Sequence, residues 1–133
     1  MADRAAERLP AHGELVPTHG DFSPRNLMVT ATGLRLIDFD RFQMASPARD
    51  VAYWGAWHWS TALLRGTEPS WVAGDEFVAT YVARRPGAAR DVHDGLGFHR
   101  AAALLRIMHG WSALTARRDA AARILLEADR QLG

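Results

Sequence analysis

Two short apolar runs with a turn signal between them stand apart from the rest of the chain. Leu27-Met28-Val29 reads as one strand and Leu34-Arg35-Leu36-Ile37 as a second, joined by Thr32-Gly33. By alternation Met28 and Ile37 face the same side of this hairpin. Beyond Ser46 the spacing becomes helical. Pro47 to Leu64 predicts a helix with Val51, Trp54, His58 and Thr61 in a stripe widened by Trp57 and Leu64. Gly66 to Gly74 reads as a loop and Asp75 to Arg84 as a helix with Phe77, Val78, Tyr81 and Val82 inward, closed by Arg85-Pro86-Gly87. Residues 88–96 are polar and glycine-containing. Phe98 to Arg117 predicts a long helix whose face holds Phe98, Ala101, Ala102, Leu105, Met108, His109 and Ser112, widened by Leu104 and Trp111. Asp119 is expected to cap a last helix striped by Ile124, Leu125, Ala128 and Leu132. Ahead of the hairpin, Ala2 to Leu9 has helix-forming composition ended by Pro10 and Gly13, and Leu15-Val16-Pro17 is extended. The expected class is mainly α, an α+β domain spanning 1–133, helical with one small β-hairpin.

Composition narrows the function without naming it. The chain has 133 residues, 48% hydrophobic and 23% charged, with net charge +1. This is ordinary for one globular domain and offers no electrostatic case for nucleic acid or an anionic membrane. No apolar run approaches the ~20 residues of a membrane span, and Met1 to Pro10 lacks a signal peptide's apolar core, so the cytoplasm is the expected location. The absence of cysteine excludes disulfides, thiolate catalysis and cysteine-held zinc. The six histidines form no His-Glu-x-x-His, and no Gly-x-Ser-x-Gly is present.

Polar groups sit at the open end of the hairpin. Asn26 enters the first strand, Asp38 leaves the second, and Asp21 lies five positions before Asn26 in Thr18-His19-Gly20-Asp21-Phe22-Ser23-Pro24-Arg25-Asn26. Phosphoryl transfer asks for this set: a carboxylate to orient an attacking hydroxyl and accept its proton, and hard oxygen ligands for magnesium. Asp21 fits the first role, and Asn26 with Asp38 the second. Taken singly, each is also an ordinary turn former or cap. The ordered set carries the reading. Arg25 reads as a solvated or acid-paired arginine in preference to a phosphate contact, and Asp40 as a cap for the next segment of the chain in preference to a second metal ligand acting through water.

An aspartate, four residues, an asparagine and then a strand-borne aspartate is the skeleton of the protein-kinase catalytic loop. Here Gly20 stands where that loop has arginine, and Asp38-Phe39-Asp40 replaces Asp-Phe-Gly. The His19-Gly20-Asp21 form, with Pro47-Ala48-Arg49-Asp50-Val51-Ala52 after it, resembles the aminoglycoside phosphotransferase/choline kinase family over residues 18–52. The resemblance implies a kinase-like C-terminal lobe using ATP and Mg²⁺ on the hydroxyl of an aminoglycoside- or choline-like small molecule. It implies Asp21 as base, Asn26 and Asp38 as metal ligands, and His19 as the residue that holds the loop. Met28 and Ile37 become the apolar floor beneath adenine. Ser23, where protein kinases have lysine, points to a small-molecule kinase and joins the nucleotide side. Asp50 is read as a brace accepting backbone hydrogen bonds from the loop, or alternatively as the first-turn acid of its helix.

Every basic residue among the 16 is arginine. The family's phosphate-gripping lysine and glycine-rich loop are therefore missing, and only 17 residues precede the motif. The expectation is a lobe without its N-terminal partner, completed by another chain or by self-association, or else a non-catalytic module. Tyr53, Trp54, Trp57 and Trp59 then read as core, or as an exposed patch left by the missing lobe. For a cationic substrate the available acids are Glu68, Asp75, Glu76, Asp91 and Asp94, which read as ordinary solvated acids in preference to cleft residues.

Overall fold

The computed structural model describes residues 13–133, so the expected helix at Ala2–Leu9 lies outside the described residues. The chain is mainly helical. Strands β1 (Val16–Thr18), β2 (Leu27–Thr30), β3 (Gly33–Leu36) and β4 (Gln43–Ala45) come first. After them come helices α1 (Ala48–Leu64), α2 (Val72–Arg84), α3 (Ala89–Gly110), α4 (Ser112–Thr115) and α5 (Arg118–Gln131).

The predicted hairpin forms as β2 and β3, antiparallel, with Leu27 opposite Leu36 and Met28 opposite Arg35. Its turn is Ala31-Thr32, one residue earlier than predicted, and Gly33 comes next at φ +120°. The Thr30 hydroxyl donates to the Gly33 carbonyl at 2.8 Å and fixes the turn. The pairing β1–β4 has no sequence signal, because its partners are three residues long and lie 25 positions or more apart. Thr18 pairs with Gln43, and its hydroxyl donates to the Gln43 carbonyl at 2.8 Å. This second ladder closes the chain from Asp21 to Asp38 into one loop-and-hairpin unit on α1.

Helix α1 is the centre of the packing, against α2 on one side and α3 on another. Its buried face keeps Val51 of the predicted stripe but is otherwise a different one. Tyr53, Ala56, Trp59 and Leu63 face the core with Ala120, Ile124, Ala128 and Leu132 of α5 and Ala101, Leu104 and Ile107 of α3. Trp54, Trp57, His58, Thr61 and Leu64 are only half-buried. Small residues decide this. A side chain on Gly74 of α2 would come within 2.8 Å of the Gly55 Cα, so those two helices cross at a distance that excludes broad rings. Trp54 instead stacks on Phe77 at 5.1 Å and meets Phe22 at 5.6 Å. The aromatic cluster is thus packed. The exposed apolar surface lies on the hairpin and the segment after it, at Met28, Val29, Leu34, Ile37, Phe39, Phe42 and Met44.

Three helix boundaries differ from expectation. Helix α2 starts at Val72, where the Ser70 hydroxyl accepts the Val72 N–H at 3.1 Å, and Gly74 sits within it. Residues 89–96 are the first turns of α3, held by Val92, which packs with Val51, Val78 and Ala88. Glycines 95 and 97 mask that helical spacing in the sequence. The helix ends at Gly110, short of Arg117, because Trp111 turns to an extended conformation and packs edge-on against Trp57. Its core face is Ala101, Leu104 and Ile107, whereas Ala102, His109 and Ser112 of the predicted face are exposed. On α5 the N-cap is Arg117, and Asp119 lies in the first turn, paired with Arg117 at 3.1 Å. Leu125 is exposed there, and Ala120 takes its place in the stripe. No helix among the described residues is long and apolar enough to cross a membrane.

Candidate functional site

The loop between β1 and β2 is built by hydrogen bonds to its own backbone. Asp50, in the first turn of α1, accepts the His19 N–H at Oδ2 (2.6 Å) and the Gly20 N–H at Oδ1 (2.8 Å). The His19 ring spans the unit. Its Nδ1 accepts the Asp21 N–H at 3.2 Å, which leaves Nε2 to donate to the Ile37 carbonyl at 2.8 Å. His19 is therefore the Nε2–H tautomer in this arrangement, and it ties residue 21 to the residue before Asp38. Gly20 sits at φ +83°, where a Cβ would fall 2.5 Å from the Arg41 carbonyl and 2.7 Å from Arg49 Nη2. Only glycine fits both the conformation and the space.

Asp21 is buried, and its two oxygens are treated differently. Oδ2 accepts Arg25 Nη2 at 2.6 Å. Oδ1 is buried with no hydrogen-bond partner among the described groups. The Tyr53 hydroxyl lies against the carboxylate without completing a strict hydrogen bond to Oδ1. Burial works to raise the Asp21 pKa. Tyr53, the Arg25 hydrogen bond and charge, and Asn26 outweigh it and hold the carboxyl below its ordinary value. Burial, then Asp21, pushes the Tyr53 phenol up.

Asn26 ends a short 3-10 turn begun by Pro24. Its Nδ2 donates to the Asp21 carbonyl at 2.8 Å, so Oδ1 is the atom with coordinating capacity. The Ile37 N–H donates to the Asn26 carbonyl at 3.0 Å, extending the β2–β3 ladder and bringing Asp38 to the same end. Asp38 is exposed and sits at φ +62°, the only described non-glycine residue in the left-handed region. A backbone held there costs on the order of 1 kcal/mol. With Asp21, Arg25, Asp40 and Arg41 it lines a cleft of about 430 Å³.

Asp21, Asn26 and Asp38 thus come together at one end of the hairpin, with His19 and Asp50 behind them. Met28 and Ile37 share one hairpin face and are 50% and 41% exposed, an open apolar floor beside the cleft. Ser23 is not brought to the cleft. Its side chain has no exposure, and its hydroxyl is directed at the Asp21 carbonyl, 3.4 Å away. Asp40 lines the cleft and does not cap α1, whose N-cap is Pro47. Arg41, Arg49 and Tyr53 carry no sequence signal, because their place depends on the β1–β4 closure and on the turn of α1. The acids available for a cationic substrate are committed elsewhere or lie outside the cleft. Glu68 pairs with Arg123, Asp75 with Arg100 and Asp94 with Arg90, and Asp91 accepts the Glu14 N–H.

Asp38 and the Asn26 amide oxygen are hard donors of the kind that hold Mg²⁺ together with substrate phosphates and water. A preformed cage of three or more His, Cys, Asp or Glu is absent among the described residues. Magnesium bound through one or two side chains needs no such cage, so the donor set fits the metal.

No curated protein and no solved structure matches the sequence. The family model described as phosphotransferase enzyme family, APH, matches residues 1–86, which include every residue that lines the cleft. With well over half of its 133 residues matched, the chain belongs to the APH phosphotransferase family.

Proposed function

We propose that the chain is the kinase-like C-terminal lobe of an ATP-dependent phosphotransferase that acts on a hydroxyl of a small molecule. The observation that carries this reading is the asymmetry at Asp21. One oxygen is tied to Arg25, and the other is buried and unspent on a loop braced from two sides. A carboxylate held ionised at the wall of the cleft can orient a hydroxyl and accept its proton as the new O–P bond forms, the bond to the β-phosphate oxygen breaks and ADP leaves. His19 and Asp50 keep that carboxylate in place, since the loop's own N–H groups are anchored to them. Asp38 and Asn26 Oδ1 would hold Mg²⁺, which supplies charge neutralisation to the β- and γ-phosphates. Met28 and Ile37 offer apolar contact to the nucleotide base.

The test is ATP- and Mg²⁺-dependent phosphorylation of a panel of small alcohols by the purified chain, compared with Asp21→Asn. Loss of a general base costs about a hundredfold or more in rate. Equal turnover in the variant sinks the assignment.

A second reading draws on the exposed hairpin. Val29 is 85% and Leu34 68% exposed on the face opposite Met28. Together with Phe39, Phe42 and Met44 this is apolar surface of the kind that marks a protein partner. The chain would then be a module that binds another chain or itself. Sedimentation of the purified protein separates the readings, since a clean monomer that turns over substrate disposes of the second.

A further inference from the structure

Tyr53 stands between Asp21 and a second cavity. Its hydroxyl faces Asp21, and its ring lines a separate space of about 100 Å³ between α1 and α3, together with Arg49, His99, Ala102, Ala103 and Arg106. Two arginines and a histidine line this space and no acidic residue does. Arg106 lies over the Tyr53 ring at 4.1 Å. Both hydrogen bonds from Arg49 to described residues leave Nη1, to the Thr18 hydroxyl (2.8 Å) and the Arg41 carbonyl (3.3 Å). Neither arginine forms an ion pair among the described residues. The carboxylate acting on Arg49 is Asp50, whose two oxygens already accept the loop N–H groups.

Two like charges converging on a half-enclosed space without a counter-ion repel each other. The Arg49 pKa is lowered accordingly, by burial first and Arg106 second. His99 avoids adding a third charge. Burial and Arg49 push its pKa down to about 4, so it presents a neutral ring at neutral pH. The arrangement is completed by an anion, for which guanidinium forks are the preferred protein donors. The volume suits one anionic group. A whole small-molecule ligand occupies about 300 Å³ or more.

We propose that this cavity binds a phosphate or carboxylate group, and that the group is carried by the molecule whose hydroxyl Asp21 activates. The acceptor class is thus a hydroxy acid or a phosphorylated polyol, and not a cationic aminoglycoside or choline. The acceptor part rests on the proposed function, while the anion site does not. Tyr53 lies between the two, so an acceptor anchored on Arg49 and Arg106 would extend past the phenol to the Asp21 carboxylate. Arg106 and His99 lie on α3, beyond the segment matched to the family.

The probe is inorganic phosphate, followed at the His99 ring signal by NMR in the full chain. Saturable shifts are expected, with the His99 titration midpoint moving up from about 4 as the anion fills the site. Arg106→Gln should weaken the affinity about tenfold or more, the loss of one charge-assisted contact. Arg84→Gln, an exposed arginine on α2, should leave it unchanged, with circular dichroism verifying the fold of both. No saturable shift at tens of millimolar phosphate, or equal affinity in Arg106→Gln, overturns the site. A second arm adds glycerate and a sugar phosphate as competitors. Displacement of phosphate by either, and not by choline, supports the acceptor class. Displacement by neither means that the site takes free anions only and overturns the acceptor class. That result leaves Asp21→Asn as the separate test of phosphotransfer.

Discussion

Replacing Asp50 by alanine distinguishes a loop brace from a simple first-turn acid, and the two roles differ in size. The carboxylate accepts the His19 N–H at 2.6 Å and the Gly20 N–H at 2.8 Å. Both donors belong to buried residues, so the variant leaves two N–H groups without partners. An orphaned buried donor costs about 1–3 kcal/mol, with bonds to charged acceptors at the upper end. Asp50 itself is half-buried, so water reaches part of the vacated space, and about 3 kcal/mol in total is the reasonable expectation. For a domain of this size that lowers Tm by roughly 10 °C. A first-turn acid acting only on the helix dipole contributes about 0.3–1 kcal/mol. Urea unfolding monitored by circular dichroism measures the total, and amide hydrogen exchange locates it. Exchange at His19 and Gly20 should accelerate well before the core of α1 is affected. Asp50→Asn keeps one acceptor oxygen and should fall between wild type and Asp50→Ala. A loss of 1 kcal/mol or less in the alanine variant, with unchanged exchange at residues 19 and 20, would refute the brace.

Two other perturbations probe the loop and the cavity behind it. Gly20→Ala places a methyl 2.5 Å from the Arg41 carbonyl at φ +83° and should cost about 2–4 kcal/mol, so a urea midpoint within error of wild type would contradict the close approach. The His99 pKa lies near 4 in the folded chain against an ordinary 6.5, so the unfolded state binds the extra proton between those values and stability falls as pH drops from about 6.5 towards 4. The loss is on the order of 2–3 kcal/mol by pH 4. His99→Gln should remove that slope, and an identical pH profile in the variant excludes His99 as its source.

The parts of the molecule legible in the sequence are those specified over short distances. The hairpin is readable because Leu27–Val29 and Leu34–Ile37 flank a turn, and α1 because helical spacing runs from Pro47 to Leu64 with Gly55 as its single interruption. The hairpin accounts for the meeting of Asn26 and Asp38, while Asp21 is brought to them by the His19 and Asp50 hydrogen bonds as well. The features that sequence patterning misses depend on which neighbour a helix meets. The aromatic residues of α1 suggest a tryptophan stripe, but Gly55 and Gly74 set the crossing distance, and the small residues Ala52, Ala56 and Ser60 are the ones buried. Residues 88–96 look irregular because glycine and polar residues carry weak helical signals. Burial of Val92 against Val51 and Val78 overrides that weakness. The nucleotide-side reading of Ser23 rests on its position in a motif, and position in a motif does not specify which way a hydroxyl turns.

The two halves of the site differ in how far the fold has already committed them. Thr18, His19, Asp21, Ser23 and Asn26 are each under a tenth exposed and hydrogen-bonded to one another, to Asp50 or to β4. Asp38, Phe39 and Asp40 are exposed, and Asp38 holds a left-handed backbone beside them. The side that would handle the acceptor's proton is therefore rigid before any ligand arrives, and the side that would handle phosphate is open. This division is set by the charges involved. A base must be aimed, and buried hydrogen bonds aim it. Carboxylates that meet a metal and three phosphates must stay hydrated until the ligand comes, because burying them unpaired would cost several kcal/mol each. The strain at Asp38 then has a physical setting, since it lifts a carboxylate into the cleft at a point where no side-chain donor among the described residues holds it.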